Sequence, residues 1–210
     1  MTFATTDLCD DHPQLLEDGR LAVLPPLFRH LGQRLQFSGR VTTLKVFEDN
    51  ALVRSTLEAP GNGNVLVIDG GASMRRALVG GQLALLAQDN GWAGIVVDGC
   101  VRDSDEINAC EIGVRALGVH PQKSAKKGVG DRNTRVLISG VPVSPGDWIY
   151  ADADGVLVAS QPVGAPSWFP CNDHPADKAS YRIAVTTAAP YTVLATGVLT
   201  ARRRAAGTRT

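Results

Sequence analysis

The sequence predicts an α/β domain over residues 1–160, followed by an extension of different composition. Two continuously apolar segments, Val65–Ile68 and Ile95–Val97, have the length and β-branched content of strands buried on both faces of a sheet. Between them, the apolar residues that follow Gln82 fit a helix ending near Asn90. A strand, a helix and a second strand in this order are typical of α/β sheets.

The flanking segments predict further elements, and two of them stay open. Met74–Val79 fits a strand or a turn, and Ile112–Val119 carries apolar residues at both the helical and the strand period. The other elements are a helical turn at Thr5–Asp10 capped by Thr6 or Asp7, a turn at Leu27–Gly32, a strand at Arg40–Val46, a helix at Glu48–Leu57, a short helix at Asp103–Ile107, a surface loop at Gln122–Asp131, and short strands at Thr134–Ile138, Val141–Val143, Trp148–Ala151 and Val156–Val158.

Composition narrows the class of protein. With 44% apolar residues, 20% charged residues and 22 glycines in 210 residues, the chain is typical of a globular protein. Its 21 basic residues balance its 21 acidic residues, so the whole chain offers no electrostatic case for binding nucleic acid. We find no apolar run long enough to span a membrane, no secretory signal and no CxxC spacing. We therefore expect a cytoplasmic protein with reduced thiols.

The extension, residues 161–210, is proline-rich at its start and Ala/Arg/Thr-rich at its end. Tyr191–Leu199 could form one strand, but no pairing partner is evident in the sequence. Such a composition predicts a loosely structured segment, and the arginine run Arg202–Arg204 is more typical of a solvated tail than of a nucleic-acid arm.

The first candidate site is the helix start at Gly80, Gly81, Gln82 and Leu83. The first N–H groups of a helix have no partner within the helix, and the helix dipole favours an anion there. This end could hold a carboxylate or a phosphate. The alternative is a glycine-bearing turn that only lets strand and helix pack closely.

The second candidate site is the pair Arg102-Asp103, which follows the buried strand Ile95–Val97. The guanidinium fork of Arg102 suits a carboxylate, and Asp103 offers the hard oxygen that Mg²⁺ or Mn²⁺ prefers. The alternative is a surface salt bridge or a helix cap. Ligands of open α/β folds gather where strands end, which favours a site.

Other catalytic patterns are missing from the sequence. Asp69-Gly70-Gly71 resembles the start of a nucleotide or S-adenosylmethionine loop, but neither GxGxxG nor GxxxxGK[ST] is present. Asp69 and Asp98 are therefore expected to hold turns. The four histidines form no HExxH motif, and no GxSxG elbow occurs, so hydrolase chemistry has no support.

Six blocks in order resemble the regulator of ribonuclease activity A family, which includes the class II 4-hydroxy-4-methyl-2-oxoglutarate aldolases. The resemblance runs from Thr5 to Val158, and the extension departs from it. The blocks are FEDN (Phe47–Asn50), VLVIDGG (Val65–Gly71), RRALVGGQLALLA (Arg75–Ala87), GIVVDGCVRD (Gly94–Asp103), IGVRALG (Ile112–Gly118) and PGDWIYADADGVLV (Pro145–Val158).

The resemblance implies a compact swivelling β/β/α domain, assembled as a homotrimer with sites between subunits. It implies a divalent-metal-dependent lyase that cleaves 4-hydroxy-4-methyl-2-oxoglutarate to pyruvate, with oxaloacetate decarboxylation as a side activity. The alternative is a protein-binding inhibitor of a ribonuclease E-type enzyme, because the family also contains such regulators.

The resemblance also implies roles for single residues. Gly80, Gly81, Gln82 and Leu83 match the substrate-binding segment, Arg102 matches the substrate-binding arginine, and Asp103 matches the metal-binding aspartate. Some regulators lack this aspartate, so its presence favours a metal-dependent enzyme. At Gln82 the chain departs from the family, which often has a glutamate there. A methyltransferase, suggested by VLVIDGG, is a third and weaker hypothesis.

Overall fold

The structure is a computed structural model that describes residues 3–160, together with the backbone of residues 187–188, 204–205 and 208–209. The chain divides into two units, 1–164 and 165–210. In the second unit the described strands are β12 (Thr187–Ala188), β13 (Arg204–Ala205) and β14 (Thr208–Arg209), which form one antiparallel sheet. The predictions of loose structure for residues 161–210 and of a strand at Tyr191–Leu199 otherwise lie outside the described residues.

Within the described residues, the first unit contains five helices and eleven strands. Its helices are α1 (Thr5–Asp11), α2 (Pro13–Glu17), α3 (Ala51–Leu57), α4 (Gly81–Asp89) and α5 (Ser104–Ala109). Its strands are β1 (Leu21–Val23), β2 (Arg29–Leu31), β3 (Phe37–Lys45), β4 (Val65–Val79), β5 (Gly94–Val101), β6 (Gly113–Val119), β7 (Asp131–Arg132), β8 (Val136–Ile138), β9 (Val141–Val143), β10 (Trp148–Ala151) and β11 (Val156–Ala159).

Nine of these strands form one mixed sheet in the order β1-β11-β10-β3-β4-β5-β6-β2, with β7 paired to β3 off this path. Strands β3 to β6 are parallel neighbours, and β2 closes one side antiparallel to β6. The long strand β3 changes partner along its length, because Phe37–Arg40 pair with β10 whereas Val41–Lys45 pair with β4. Strands β8 and β9 form a separate hairpin.

Side chains that alternate along the parallel strands build a core on each face of the sheet. On β4, Leu66 and Ile68 pack with residues of α3, α4 and α5, whereas Val65 and Val67 pack with residues of β8 to β11. All four are fully buried, as the continuous apolar run predicts for a strand covered on both faces. The resulting β/β/α layering confirms the predicted fold class.

Several predicted boundaries were wrong or incomplete. Arg29–Leu31 is a strand rather than a turn, since it pairs with β6, and β1 and α2 were not predicted. Helix α1 begins at Thr5 after Ala4, without a side-chain cap, so neither Thr6 nor Asp7 is the N-cap. Glu48 lies before α3 with a φ of 52°, which no helix tolerates. Both open segments are strands: Met74–Val79 lies in β4, and Ile112–Val119 is β6 from Gly113 onward.

Strand β4 has an unusual course. Its register with β5 shifts three times between Asp69 and Val79, and the middle of this stretch is largely exposed before Ala77, Leu78 and Val79 are buried again. The strand therefore returns to the sheet and ends at Val79, opposite Val101 at the end of β5. Whatever follows β4 and β5 is thus brought to the same edge of the sheet.

Candidate active site

The start of α4 and the Arg102-Asp103 pair lie side by side at this edge. The N–H of Arg102 donates to the carbonyl of Val79 at 2.9 Å, which ties the residue after β5 to the residue before Gly80. The sequence predicted both halves separately, and the structure brings all six predicted residues together. Gly80, Gln82, Leu83, Arg102 and Asp103 line one cleft of about 380 Å³, which we call the Gly80 cleft.

Gly80 is the N-cap of α4, and the absence of its side chain makes room for Asp103. A Cβ on Gly80 would stand 2.7 Å from Oδ2 of Asp103 and 3.3 Å from Cγ of Arg102. The φ of Gly80 is −130°, so no positive φ demands a glycine here. The close approach of the Asp103 and Arg102 side chains to Gly80, rather than its backbone conformation, therefore explains why a glycine stands here.

The start of α4 has fewer unpartnered N–H groups than the four that a helix start usually offers. The N–H of Leu83 already donates to the carbonyl of Gly80 at 3.0 Å. Within the described residues, the N–H groups of Gly81 and Gln82 have no acceptor. These two groups, and not the N–H of Leu83, are the donors that the first turn of α4 offers to an anion.

Arg102 and Asp103 form a half-exposed pair. Nε of Arg102 lies 3.2 Å from Oδ2 of Asp103, and the two side chains are 38% and 36% exposed. Within residues 3–160, the remaining nitrogens of the Arg102 guanidinium and Oδ1 of Asp103 have no hydrogen-bond partner. The cleft therefore has both a fork of donors and a free carboxylate oxygen.

Asp103 has a strained backbone. Its φ of 54° and ψ of 47° lie in the left-handed region, which is uncommon for a residue with a side chain, although aspartate and asparagine tolerate it best. It caps the start of α5, but its side chain makes no capping hydrogen bond. The carboxylate is thus directed to Arg102 and Gly80 rather than used to stabilise its own helix.

Four charged residues that sequence reasoning missed complete the cleft: Arg54, Glu106, Lys123 and Lys126. A Cβ on Gly81 would stand 2.1 Å from Oε2 of Glu106, so the Glu106 carboxylate lies directly over the first residue of α4. A signal for Glu106 exists in the sequence, because positions 103 and 106 are spaced i, i+3 on a predicted helix. The two lysines lie in the basic segment that was predicted only as a surface loop.

A metal could be held here with few protein ligands. The described residues contain no group of three or more His, Cys, Asp or Glu side chains that could bind a metal together. Mg²⁺ usually keeps several waters and binds proteins through one or two carboxylates. Asp103, half exposed and with one oxygen free, is suited to such a site.

The DGG segment does not form a nucleotide loop. After Asp69 the chain continues as β4 instead of starting a helix, so no helix N-terminus is available to phosphate. Oδ1 of Asp69 instead accepts a hydrogen bond from the N–H of Gly71 at 2.9 Å. The expectation that Asp69 holds a turn is therefore confirmed.

Comparison with known proteins decides the family. A family model described as RraA-like, Aldolase/RraA, matches residues 5–158. The chain belongs to the Aldolase/RraA family. A second model, the peptidase M1 N-terminal domain, matches residues 151–208, which is too small a part of the chain to show membership.

Relatives within the family carry different names. A protein of Cupriavidus necator, provisionally named 4-hydroxy-4-methyl-2-oxoglutarate aldolase, is 60% identical over 164 residues, which are 78% of this chain and 99% of that protein. The RNA-processing inhibitor RraA from Thermus thermophilis is 48% identical with a TM-score of 0.71, over 78% of this chain and 97% of that chain. A structure from Geobacillus kaustophilus described as an S-adenosylmethionine:2-dimethylmenaquinone methyltransferase is 46% identical with a TM-score of 0.71, over 78% of this chain and 98% of that chain.

Proposed function

We propose that this protein is a divalent-metal-dependent aldolase that cleaves 4-hydroxy-4-methyl-2-oxoglutarate to two pyruvates, with oxaloacetate decarboxylation as a side activity. The proposal is supported by the aldolase names of relatives that match three-quarters of the chain. The observation that carries it is the Asp103 carboxylate lying against Gly80, with one oxygen free, beside Arg102 and two unpartnered helix N–H groups.

Each of these groups has a task in the proposed reaction. Asp103 would hold Mg²⁺ or Mn²⁺, which supplies Lewis acidity to the keto group when bound. The free nitrogens of Arg102 and the N–H groups of Gly81 and Gln82 would orient the carboxylate of the keto acid. Because these donors are fixed by the fold, they need no rearrangement when charge develops on the pyruvate enolate.

The substitution Asp103→Asn tests the proposal. Asparagine tolerates the left-handed backbone of this position, so the variant removes the charge without adding strain, whereas Asp103→Ala would do both. We expect metal-dependent pyruvate release, from the hydroxy-keto acid and from oxaloacetate, to fall about 100-fold or more. The proposal is wrong if wild-type protein with metal releases no pyruvate, or if the variant releases as much as wild type.

An alternative function is inhibition of a ribonuclease E-type enzyme by direct binding. It is supported by the 48% identity to an RNA-processing inhibitor of the same fold. In that case binding and inhibition would survive both chelation and Asp103→Asn. Absence of any association with a ribonuclease E-type enzyme in a pull-down with purified proteins would exclude it.

We also propose that the protein is a homotrimer with its sites between neighbouring subunits. Several large apolar side chains of the described residues are exposed, among them Phe47 at 60% and Met74 at 51%, and burying them would favour association. Sedimentation equilibrium of the full chain gives the mass directly, and a monomer at micromolar concentration would contradict the proposal.

A further inference from the structure

A second cleft lies on the face of the sheet that the helices do not cover, beside the β8–β9 hairpin. Asp69 follows Ile68 on β4 and therefore points to the same face as Val67, which packs with residues of β8 to β11. The cleft has a volume of about 270 Å³. We call it the Asp69 cleft. Its lining, which shares no residue with the Gly80 cleft, consists of Lys45, Asp69, Arg135, Val136, Leu137 and Pro142.

Asp69 is a buried carboxylate in this cleft without a cation beside it. The residue is only 7% exposed. Its Oδ1 accepts the N–H of Gly71 at 2.9 Å, whereas within residues 3–160 its Oδ2 has no hydrogen-bond or ion-pair partner. The neighbouring carboxylate, Asp98, accepts the Ser139 hydroxyl and supplies no positive charge. Burial of an unpaired charge is costly, so Asp69 favours a ligand that brings a cation.

Two cations line the same cleft, Lys45 at the end of β3 and Arg135 just before β8. Both residues are exposed, and in the part of the chain from residue 3 to residue 160 neither side chain forms a hydrogen bond or an ion pair. They do not close on Asp69, so positive and negative charges stand apart around one space. Both cations are therefore available to an anionic group, and the guanidinium of Arg135 suits a carboxylate.

Apolar side chains from the hairpin complete the cleft. Leu137 of β8 and Pro142 of β9 are paired residues, and both are exposed, Leu137 at 56%. An apolar group placed against them would remove this surface from water, which is favourable. The Asp69 cleft thus combines an unpaired carboxylate, two unpaired cations and an apolar wall.

These three features match the three parts of one class of molecule. An α-amino acid has an ammonium group, a carboxylate and a side chain on a single carbon atom. We propose that the Asp69 cleft binds an α-amino acid with an apolar side chain. The ammonium group pairs with Asp69, and the carboxylate pairs with Lys45 and Arg135. The apolar side chain packs against Leu137 and Pro142. This site does not depend on the proposed aldolase function, because it shares no residue with the Gly80 cleft.

L-Leucine and two analogues test the two charges separately. 4-Methylpentanoate lacks the ammonium group of leucine, and 3-methylbutylamine lacks its carboxylate. In titration calorimetry with the full chain, we expect L-leucine to bind with a Kd of about 1 mM or tighter. We expect each analogue to bind about tenfold or more weakly, because one charged group of the cleft then stays unpaired.

Two substitutions assign each charge of the ligand to its partner. Asp69→Asn keeps an acceptor for the N–H of Gly71 and removes only the charge, so L-leucine should then bind no more tightly than 4-methylpentanoate. Arg135→Gln should weaken L-leucine binding about tenfold and leave 3-methylbutylamine within about twofold. Far-UV circular dichroism of both variants should match wild type.

Arg132→Gln is the matched control, because Arg132 is an exposed cation three residues away that does not line the cleft. It should keep the affinity for L-leucine within about twofold. Absence of L-leucine binding to wild type at about 10 mM would overturn the site, since a Kd of about 1 mM predicts near-saturation there. Affinity that Asp69→Asn and Arg135→Gln both leave unchanged would overturn it as well. Failure of the aldolase function would alter neither result.

Discussion

At Gly80 a hydrogen atom stands where any other residue would have a Cβ, and the Asp103 carboxylate fills the space. The same holds for Gly81 and Glu106. From the sequence, two glycines at a helix start indicated either an anion site or a turn that lets strand and helix pack closely, with no means of choosing between them. The contacts show a third role, since the missing side chains of the two glycines leave room for the carboxylates of Asp103 and Glu106. Sequence patterns could not reveal this because the partners lie more than twenty residues away.

Gly80→Ala tests this role at the scale of one methyl group. The added Cβ would press against Oδ2 of Asp103, so the carboxylate must move although α4 and α5 can still form. We expect pyruvate release to fall about 10- to 100-fold, because small misplacements of catalytic groups are costly. Mn²⁺ affinity should fall with it.

Gly155→Ala is the control for this change, since nothing lies within 4 Å of the position of its Cβ. Far-UV circular dichroism of both variants should match wild type. Unchanged activity and Mn²⁺ affinity in Gly80→Ala would show that the close approach has no functional role.

At the scale of elements, the long apolar strands were the most predictable features and the three-residue strands the least. Val65–Ile68 and Ile95–Val97 are buried on both faces, and this burial makes their sequences continuously apolar. By contrast, β2 is a strand only because β6 offers an edge to pair with. For the same reason the sequence of Ile112–Val119 could not decide between helix and strand, because only pairing with β5 makes it a strand.

A second close approach joins the two parts of the sheet. The Phe37 ring, at the antiparallel end of β3, lies against Gly94 of β5, where a Cβ would stand 2.3 Å from the ring. Gly94→Ala should therefore lower the free energy of unfolding by about 1–3 kcal/mol through overpacking. Urea unfolding measures this change.

A double-mutant cycle separates this collision from a general intolerance of alanine in β5. In the background of Phe37→Leu, whose smaller side chain leaves room, Gly94→Ala should cost less than in wild type. Equal costs in both backgrounds would show that the ring is not responsible.

At the scale of the whole molecule, buried carboxylates couple stability to pH. Asp98 and Asp69 are neighbours on paired strands, and Oδ1 of Asp98 accepts a hydrogen bond from the Ser139 hydroxyl at 2.7 Å. Burial raises the pKa of Asp98, the nearby Asp69 carboxylate acts in the same direction, and Ser139 partly offsets both. The folded state thus binds a proton at Asp98 more tightly than the unfolded chain does.

The sign of the resulting pH dependence follows from linkage. Where the folded state holds the proton and the unfolded chain has released it, stability falls as pH rises from the ordinary value of 3.8 through the raised pKa. Asp98→Asn does not titrate. The free energy of unfolding of Asp98→Asn minus that of wild type should therefore be larger at about pH 7 than at about pH 4. The exposed Asp154→Asn is the control, and the same pH dependence in both variants would contradict the prediction.

The sequence by itself determined the α/β class and the buried strands, because hydrophobic periodicity is a local property, and it predicted the six candidate site residues Gly80–Leu83, Arg102 and Asp103. Its ordered blocks also indicated the family. Only the tertiary structure decided that β4 and β5 end side by side, which joins the two halves into one cleft. It also decided which of the many exposed charges share that cleft. Arg54, Glu106, Lys123 and Lys126 come from segments far apart in the chain, and only chain folding brings their charges within range of one ligand.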